Sequence, residues 1–455
     1  MSESLKPLRQ RLHPRVLVTV LAVAAALAAC GDDDPTSVGA PLFPEGLVHT
    51  FEVVLDADEF AVMDTALGGF LQPWASGRLL VADQFEGVLD ANTVLRLAAL
   101  PATVTYRDTA GQNQVDTLPQ FFEGAVVLYL DSMQIGTSPA TLALDVLAER
   151  WHPRTATWEL RADTAGVQTP WQQPGGTPAE RVGTGTWTAD ADSVVFPVDS
   201  ARLAEWSDTT VLAAGLRISA QTAGTRLSAT RALLRIKARP SPRPDTVIDV
   251  TVTASDFTFL FDPPPPAATG LNVGGVPTWR SMMELRDRLD TLTVEFERCA
   301  AGGSCQTFTI RLSDATVTRA ELLLQPLPPP PGFRPADTVR VEMRPALRTP
   351  LVPIERSPLT EPVTPFIAVG VDPAAFTLPL GAAPRLALPF TSYVRNAVAP
   401  PDSATVEAVT QPTLALLPEV PGSTFGFAVF GDLESGAHAP RLRLVLTVSE
   451  EVLRP

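Results

Sequence analysis

The run RLRLVLTVS, residues 441–449, decides the fold class. Leu442, Leu444, Leu446 and Val448 fall on one side of an extended chain, and Arg441, Arg443 and Thr447 fall on the other. A strict period of two is the signature of a half-buried β-strand, because successive side chains of a strand point to opposite faces. The same period governs TLTVEFERC (291–299), where Leu292, Val294 and Phe296 oppose Thr293, Glu295 and Glu297. It recurs in TFTIRLS (307–313) through Phe308, Ile310 and Leu312. SMMELRDRLDTL (281–292) has a helix-like pattern that also suits strand, turn and strand.

Composition agrees. The 455 residues include 45 prolines and 29 glycines, a density of helix breakers that leaves little room for long helices. With 45% hydrophobic residues the chain is still rich enough in apolar side chains to fill a core. Many short strands joined by proline-rich loops satisfy both facts.

The chain also repeats itself. GAVVLYLDS (124–132) is answered by RAELLLQPL (319–327), and TLALDVLAERWHP (141–153) by TVRVEMRPALRTP (338–350). VVFPVDSARLAEW (194–206) is answered by LALPFTSYVRNAV (386–398). The pair AAGLRISA and RALLRIKA (213–238) corresponds to TFGFAVFG and PRLRLVLT (424–447). GRLLVADQFEGVLDANTVLRL (77–97) resembles TGLNVGGVPTWRSMMELRDRL (269–289), which favours strand, turn and strand for the ambiguous stretch. Matches in one order, about 200 residues apart, predict a duplicated domain. The expected division is a domain over 46–238, a stiff proline-rich linker over 239–246 and a second domain over 247–455. Each is expected to be an antiparallel, jelly-roll-like β-sandwich.

These strands carry a resemblance. An A-x-L-x-L strand is followed by Trp151, Thr157 and Trp158, then by VDSARLAEW and a closing P-x-L-x-L-x-L strand. The arrangement resembles the DNRLRE-type domain, a β-sandwich module of secreted and surface proteins similar to carbohydrate-binding modules. GFAVFGDLESGAHAPRLRLVLT in the second copy is the better match to that family's final hairpin. The second copy lacks the tryptophan pair, and the first copy's last loop, QTAGTRLSATRA, lacks the family's acidic residue. The resemblance implies the fold and a glycan-binding role.

The N-terminus reads separately. Lys6, Arg9, Arg11 and Arg15 precede an uncharged run from Val16 to Ala29, of secretory-signal length and too short for a membrane span. It ends Leu27-Ala28-Ala29-Cys30, which resembles the lipobox of bacterial lipoproteins. In that family the cysteine sulfur takes a diacylglycerol, the peptide before it (1–29 here) is removed, and the new amino terminus is usually acylated. Two or three acyl chains at about 0.8 kcal/mol per buried CH₂ make a stable anchor. Residues 30–45 then read as the lipidated Cys30 and a flexible tether, rich in Asp, Ser, Gly and Pro. The expected location is the bacterial cell envelope, anchored by lipid at the outer membrane, on its periplasmic or surface side.

The formal net charge is −15, and removing residues 1–29 takes away four basic residues and Glu3, leaving about −18. Such a surface repels nucleic acid. Cys299 and Cys305 flank AAGGS and fall on the polar face of two alternating strands, so a hairpin disulfide is expected. Its short loop places it toward the low end of the usual ~2–4 kcal/mol. No P-loop, G-x-S-x-G or zinc-ligand spacing occurs, and His49, His152 and His438 are scattered. Neither a cofactor nor a metal is expected, and no catalytic residue is nominated. Trp151, Trp158, Trp187 and Trp206 lie in or beside strands and read as core. Trp74 in LQPWASG and Trp171 in QTPWQQPGG lie in turn-rich loops and are the candidate ligand-binding residues.

The expected role is therefore non-catalytic binding of a glycan or cell-surface polymer. The alternative is a structural or partner-binding scaffold of the envelope. A hydrolase with a dispersed carboxylate site is a third, less favoured reading.

Overall fold

The computed structural model describes residues 48–208, 212–266, 269–276, 278–286, 288–299, 303, 305–347, 353, 356–363, 368–398 and 412–453. The leader, Cys30 and the tether lie outside them. The first half of the chain supplies β1 (Val48–Leu55), α1 (Ala57–Phe60), β2 (Ala61–Leu67), β3 (Leu79–Phe85), β4 (Leu89–Leu97), β5 (Val104–Arg107), β6 (Asn113–Asp116), β7 (Gln120–Leu130), β8 (Ala140–Leu147), β9 (Leu160–Thr164), β10 (Val167–Pro170), β11 (Pro178–Trp187), β12 (Ser193–Val198), α2 (Ser200–Trp206), β13 (Leu216–Ala220) and β14 (Thr225–Arg239). The second half supplies β15 (Ile248–Asp262), β16 (Leu271–Gly274), β17 (Arg280–Leu285), β18 (Thr293–Cys299), β19 (Cys305–Arg311), β20 (Thr316–Leu324), β21 (Pro326–Leu327), β22 (Val339–Pro345), β23 (Val369–Val371), β24 (Leu386–Pro389), α3 (Thr391–Val398), β25 (Thr413–Pro418), β26 (Phe427–Phe430) and β27 (Arg441–Ser449). The fold is all-β and built from antiparallel sheets. The ambiguous stretch 281–292 is indeed strand β17 followed by a turn into β18.

Two compact units form. The smaller holds the described residues up to Phe51 with those from Thr447 onward, where the hydroxyls of Thr50 and Thr447 lie 3.0 Å apart. The larger unit, Glu52–Leu446, holds the first sandwich and all of the second except the outer ends of β1 and β27.

In the first sandwich one sheet runs β11-β8-β13-β4-β15-β14-β7-β12, with β3 bridging β14 and β4. Alternation explains its core: Val126, Leu128, Leu234 and Ile236 point inward, as do Leu142, Leu144 and Ile218, around Trp187 and Trp206. β15 is long enough to serve two partners. It pairs with β14 from Ile248 to Thr253, bulges between Ala254 and Asp256, and then pairs with β4 to Asp262. The extra residue of a bulge bends a strand, and here the bend carries the sheet from one side of the sandwich to the other.

In the second sandwich β20 lies between β27 and β24, while the facing sheet runs β2-β17-β25-β22-β23. Here the place of β15 is taken by two strands from the start of the chain. β1 runs beside β27 and, after the turn of α1, β2 runs beside β17.

The sheets therefore do not divide at 239–246. β15 completes the first sandwich rather than opening the second, and β2 belongs with β17 rather than with the strands that follow it. One sandwich, Leu79–Asp262, is inserted into another made of 48–67 and 271–449. Residues 239–246 are a hairpin connection. The Ser241 N–H donates to Asp116 Oδ2 at 2.7 Å and Arg243 Nη1 donates to the Arg107 carbonyl at 2.8 Å, fastening it to the β5–β6 hairpin.

The duplication itself is visible in the pairing, with two adjustments. β12 leads into α2 as β24 leads into α3. Pro197 pairs with Ala125 and Pro389 pairs with Glu321, so the counterpart of Ala125 is Glu321, one residue from where sequence matching puts it. A shift of one reverses which side chains face the core. Likewise β25, between β17 and β22, is the counterpart of β13, between β4 and β8, in place of 424–431.

An aromatic layer joins the two sandwiches. Leu80, Phe85, Leu89 and Phe259 of the first meet Trp279, Phe333, Phe425 and Phe427 of the second. Phe425 meets Phe259 edge-on at 6.0 Å and stacks on Phe333 at 5.4 Å. Beside it Arg226 is buried, donating from Nη1 to the Gly332 carbonyl at 3.0 Å with its guanidinium 4.5 Å from the Phe85 ring. Burial pushes the Arg226 pKa down to about 10. Glu86 accepts from the Gly332 N–H at 2.7 Å and from Arg334 Nε at 2.8 Å, closing the clamp on the PPPPGF loop.

Phe425→Ala should cost about 3–5 kcal/mol, the usual toll for emptying an aromatic site in a core. In urea the expected result is a single transition at a lower midpoint. Resolved unfolding of two parts in the parent protein would show that the aromatic layer does not couple them.

Candidate functional site

On the segment RALLRIKAR (231–239) of β14, Ala232, Leu234, Ile236 and Ala238 are buried. Arg231, Arg235, Lys237 and Arg239 occupy the alternate, outward positions. Leu233 also points outward, yet it is covered, as apolar residues between long basic stems commonly are. Pairing sets the neighbours. Tyr129 of β7 stands opposite Arg231, Val127 opposite Leu233, Ala125 opposite Arg235 and Glu123 opposite Lys237. β12 adds Ser193 and Val195, and β15 adds Asp249, Thr251 and Thr253.

The result is a shallow groove of about 410 Å³ on the outer face of β12-β7-β14-β15, lined by Tyr129, Val127, Val195, Arg235, Lys237 and Glu123 among others. The guanidinium carbons of Arg231 and Arg235 lie 4.6 and 5.4 Å from the Tyr129 ring centre. Contacts of this kind are attractive through the ring quadrupole. Lys237 Nζ sits 2.8 Å from Glu123 Oε1, and that hydrogen bond raises the lysine pKa. Among the described residues neither Arg231 nor Arg235 has a carboxylate partner. The face offers an aromatic ring and several N–H donors, groups suited to holding a hydroxyl-rich ligand.

The duplicate face is closed by its own side chains. Glu321, the counterpart of Ala125, is only 3% exposed. Its carboxylate accepts from Arg319 Nε at 2.8 Å and from Arg443 Nε at 2.7 Å. Burial pushes the Glu321 pKa up, but the bonds from Arg443 and Arg319 outweigh it and hold the carboxyl below its ordinary range. Gln325 stands two residues beyond Leu323 as Tyr129 stands two beyond Val127, and it is buried with Nε2 donating to the Ala383 carbonyl at 2.9 Å.

The residues nominated from sequence fare differently. Trp171 is 5% exposed, packed with Val94, Leu147, Trp151 and Leu260, and its Nε1 donates to the Thr157 carbonyl at 3.0 Å. It is a core residue, and the turn-rich loop folds inward because its indole N–H finds that carbonyl. Trp74 is 37% exposed on a short 3₁₀ turn, with the Arg154 guanidinium 5.0 Å from its ring. Trp151, Trp187 and Trp206 are buried, as read. Cys299 and Cys305 are directly paired across β18 and β19 and form the disulfide. They also lie beside Glu297 in the one grouping of metal-ligand atoms among the described residues, but both sulfurs are consumed by the bond. Cys30 lies outside the described residues.

Two carboxylates outside this face, Asp145 and Asp64, are occupied. Asp145 is buried between Arg181 and Arg217, the latter at 2.9 Å. Asp64 Oδ2 accepts from the Leu433 N–H at 2.8 Å. Burial and the neighbouring Asp432 and Glu434 raise the Asp64 pKa. Tyr129, Arg231 and Arg235 are residues that sequence reasoning misses, although RALLRIKAR carries a readable signal: cations at four of five alternate positions, between apolar ones.

The chain matches no known family model, no curated protein and no solved structure.

The Glu321 pKa shift has a pH consequence. A carboxyl whose folded pKa lies below its unfolded one adds stability above the unfolded pKa, and that stability is lost as pH falls through the folded value. Glu321→Gln should therefore lower stability at neutral pH and flatten the acid side of the stability profile, below about pH 4.5. Chemical denaturation across pH 2–7 measures this. Parallel profiles for the parent and the variant would overturn it.

Proposed function

We propose that the chain is a lipid-anchored protein of the bacterial cell envelope that binds a glycan or another cell-surface polymer without transforming it. The ligand is held on the outer face of β12-β7-β14-β15. The observation that carries this reading is the groove around Tyr129, open in the first sandwich and closed by Glu321 and Gln325 in the second. Duplicated sandwiches need matching cores, but nothing in packing requires one copy to leave two arginines on an open tyrosine. Sugar rings contact aromatic faces and take hydrogen bonds from guanidinium and hydroxyl groups, and this face supplies both.

The resemblance to DNRLRE-type modules supports the same role, and the lipobox-like Leu27-Ala28-Ala29-Cys30 supports the anchor. Among the described residues no helix is long and apolar enough to cross a membrane. A lipid on Cys30 would hold the protein at the outer membrane, on its periplasmic or surface side.

Full-length protein in detergent, screened against a panel of polysaccharides, tests the ligand class. Saturable binding is expected, weakened at least tenfold (about 1.4 kcal/mol) by Tyr129→Ala and unchanged by Trp74→Ala. Absence of binding across the panel would replace this reading with that of a partner-binding scaffold.

The anchor has its own test. Cys30→Ser should abolish incorporation of labelled fatty acid and move the protein out of the membrane fraction. Undiminished labelling would place the lipid elsewhere, and a parent protein that takes up no label would overturn the anchor.

A further inference from the structure

The bulge in β15 leaves a second feature, on the edge of the sheet. From Ala254 onward β15 pairs with β4, but from Ile248 to Val252 it pairs only with β14. On the other side β4 ends at Leu97, and Ala98 makes one last bond, its N–H donating to the Thr253 carbonyl at 2.9 Å. Beyond Ala98 the chain peels away. In an antiparallel strand the N–H and C=O of one residue point to the same side, and the side alternates along the chain. Since the Thr253 carbonyl faces Ala98, the main-chain groups of Thr251 and Asp249 face the same way. Among the described residues they meet no partner there.

What they face is a groove of about 440 Å³, bounded by Ile248–Thr253 on one side and by Ala98, Ala99, Pro101, Thr103, Val104 and Thr105 on the other. The β5–β6 hairpin that forms part of the far wall pairs with itself. It is held in place by the bonds from Ser241 and Arg243 to Asp116 and Arg107. An open strand edge is a template for another strand, and natural proteins usually cover or shorten it. Here five residues, roughly 17 Å at ~3.3 Å per residue, stay open beside a walled slot.

We propose that this slot is a docking site for an extended peptide segment of another protein, which adds to β15 as an edge strand. Main-chain bonds to Asp249 and Thr251 supply the grip, and the wall at Ala99–Thr105 selects small or β-branched side chains. Asp249 is the one charged side chain lining the groove, so the segment carries a lysine or arginine facing it. Asp249 also borders the Tyr129 groove, so the two sites adjoin, but this one rests on the main-chain groups of the sheet edge.

The test is a displayed library of random decapeptides selected on full-length protein in detergent, followed by titration of the enriched peptides. Thr251→Pro deletes one N–H that the fold does not use, at an edge position where proline is tolerated. Ala99→Trp fills the slot from an exposed site on the opposite wall and decides the matter if the proline variant fails to fold. Enriched peptides should be basic and β-branched, lose at least tenfold in affinity for both variants, and slow amide exchange at Asp249 and Thr251. Three results would overturn the proposal: no enrichment, undiminished binding to both variants, or protection of these two amides by a polysaccharide and not by peptide.

Discussion

The architecture hangs on the ladder between β14 and β15, from Leu233 opposite Thr253 to Ala238 opposite Ile248. Once that hairpin closes, residues 248–262 are committed to the first sandwich, and their far half completes it against β4. The second sandwich is then short of the strand that its duplicate origin requires. β1 and β2 fill the gap, one on each sheet, because α1 breaks the chain at the place where β15 merely bulges. Hydrogen bonding here overrides chain order, as it must where every buried main-chain group needs a partner.

The same duplication offers an internal comparison. Both copies keep the alternating core and the proline before the helix, Pro197 and Pro389. Their outer faces have parted. One buries a carboxylate under two arginines, so that its cations are engaged by the face's own ion pairs. The other keeps its arginines over a tyrosine. Packing constrains the inward residues of a strand strongly and the outward ones weakly, so divergence of function is free to occur on the outer face.

How much of this was legible follows the same logic. Period two is a local property, so RLRLVLTVS and TFTIRLS could be read as strands, and the parity of Cys299 and Cys305 gave their bond. Which strand sits beside which is not local. The proline-rich 239–246 has the composition of a linker, and only its bonds to Asp116 and Arg107 make it a hairpin connection. Repeats built from alternating leucines and valines match nearly as well one residue out of step, which is why sequence matching puts Ala125 against Ala320 and the pairing puts it against Glu321. The burial of Trp171 is illegible for a related reason: loop composition says nothing of a carbonyl fourteen residues away in sequence. Tyr129 is silent in the sequence because it lies within a strand, where an outward aromatic looks like any core residue until the neighbours across the ladder are known.

The insertion of one sandwich inside the other sets an order of events during synthesis. All strands of the inner sandwich have been made once residue 262 emerges, whereas β1 and β2 must wait for β17 and β27, some two hundred residues or more further on. Closing so long a loop in an unfolded chain is slow. A folded insert shortens it, since the whole inner sandwich then acts as a compact spacer between Leu67 and Leu271. Folding the inner sandwich first thus prepares the outer one, and the earliest-made strands are the last to find their places.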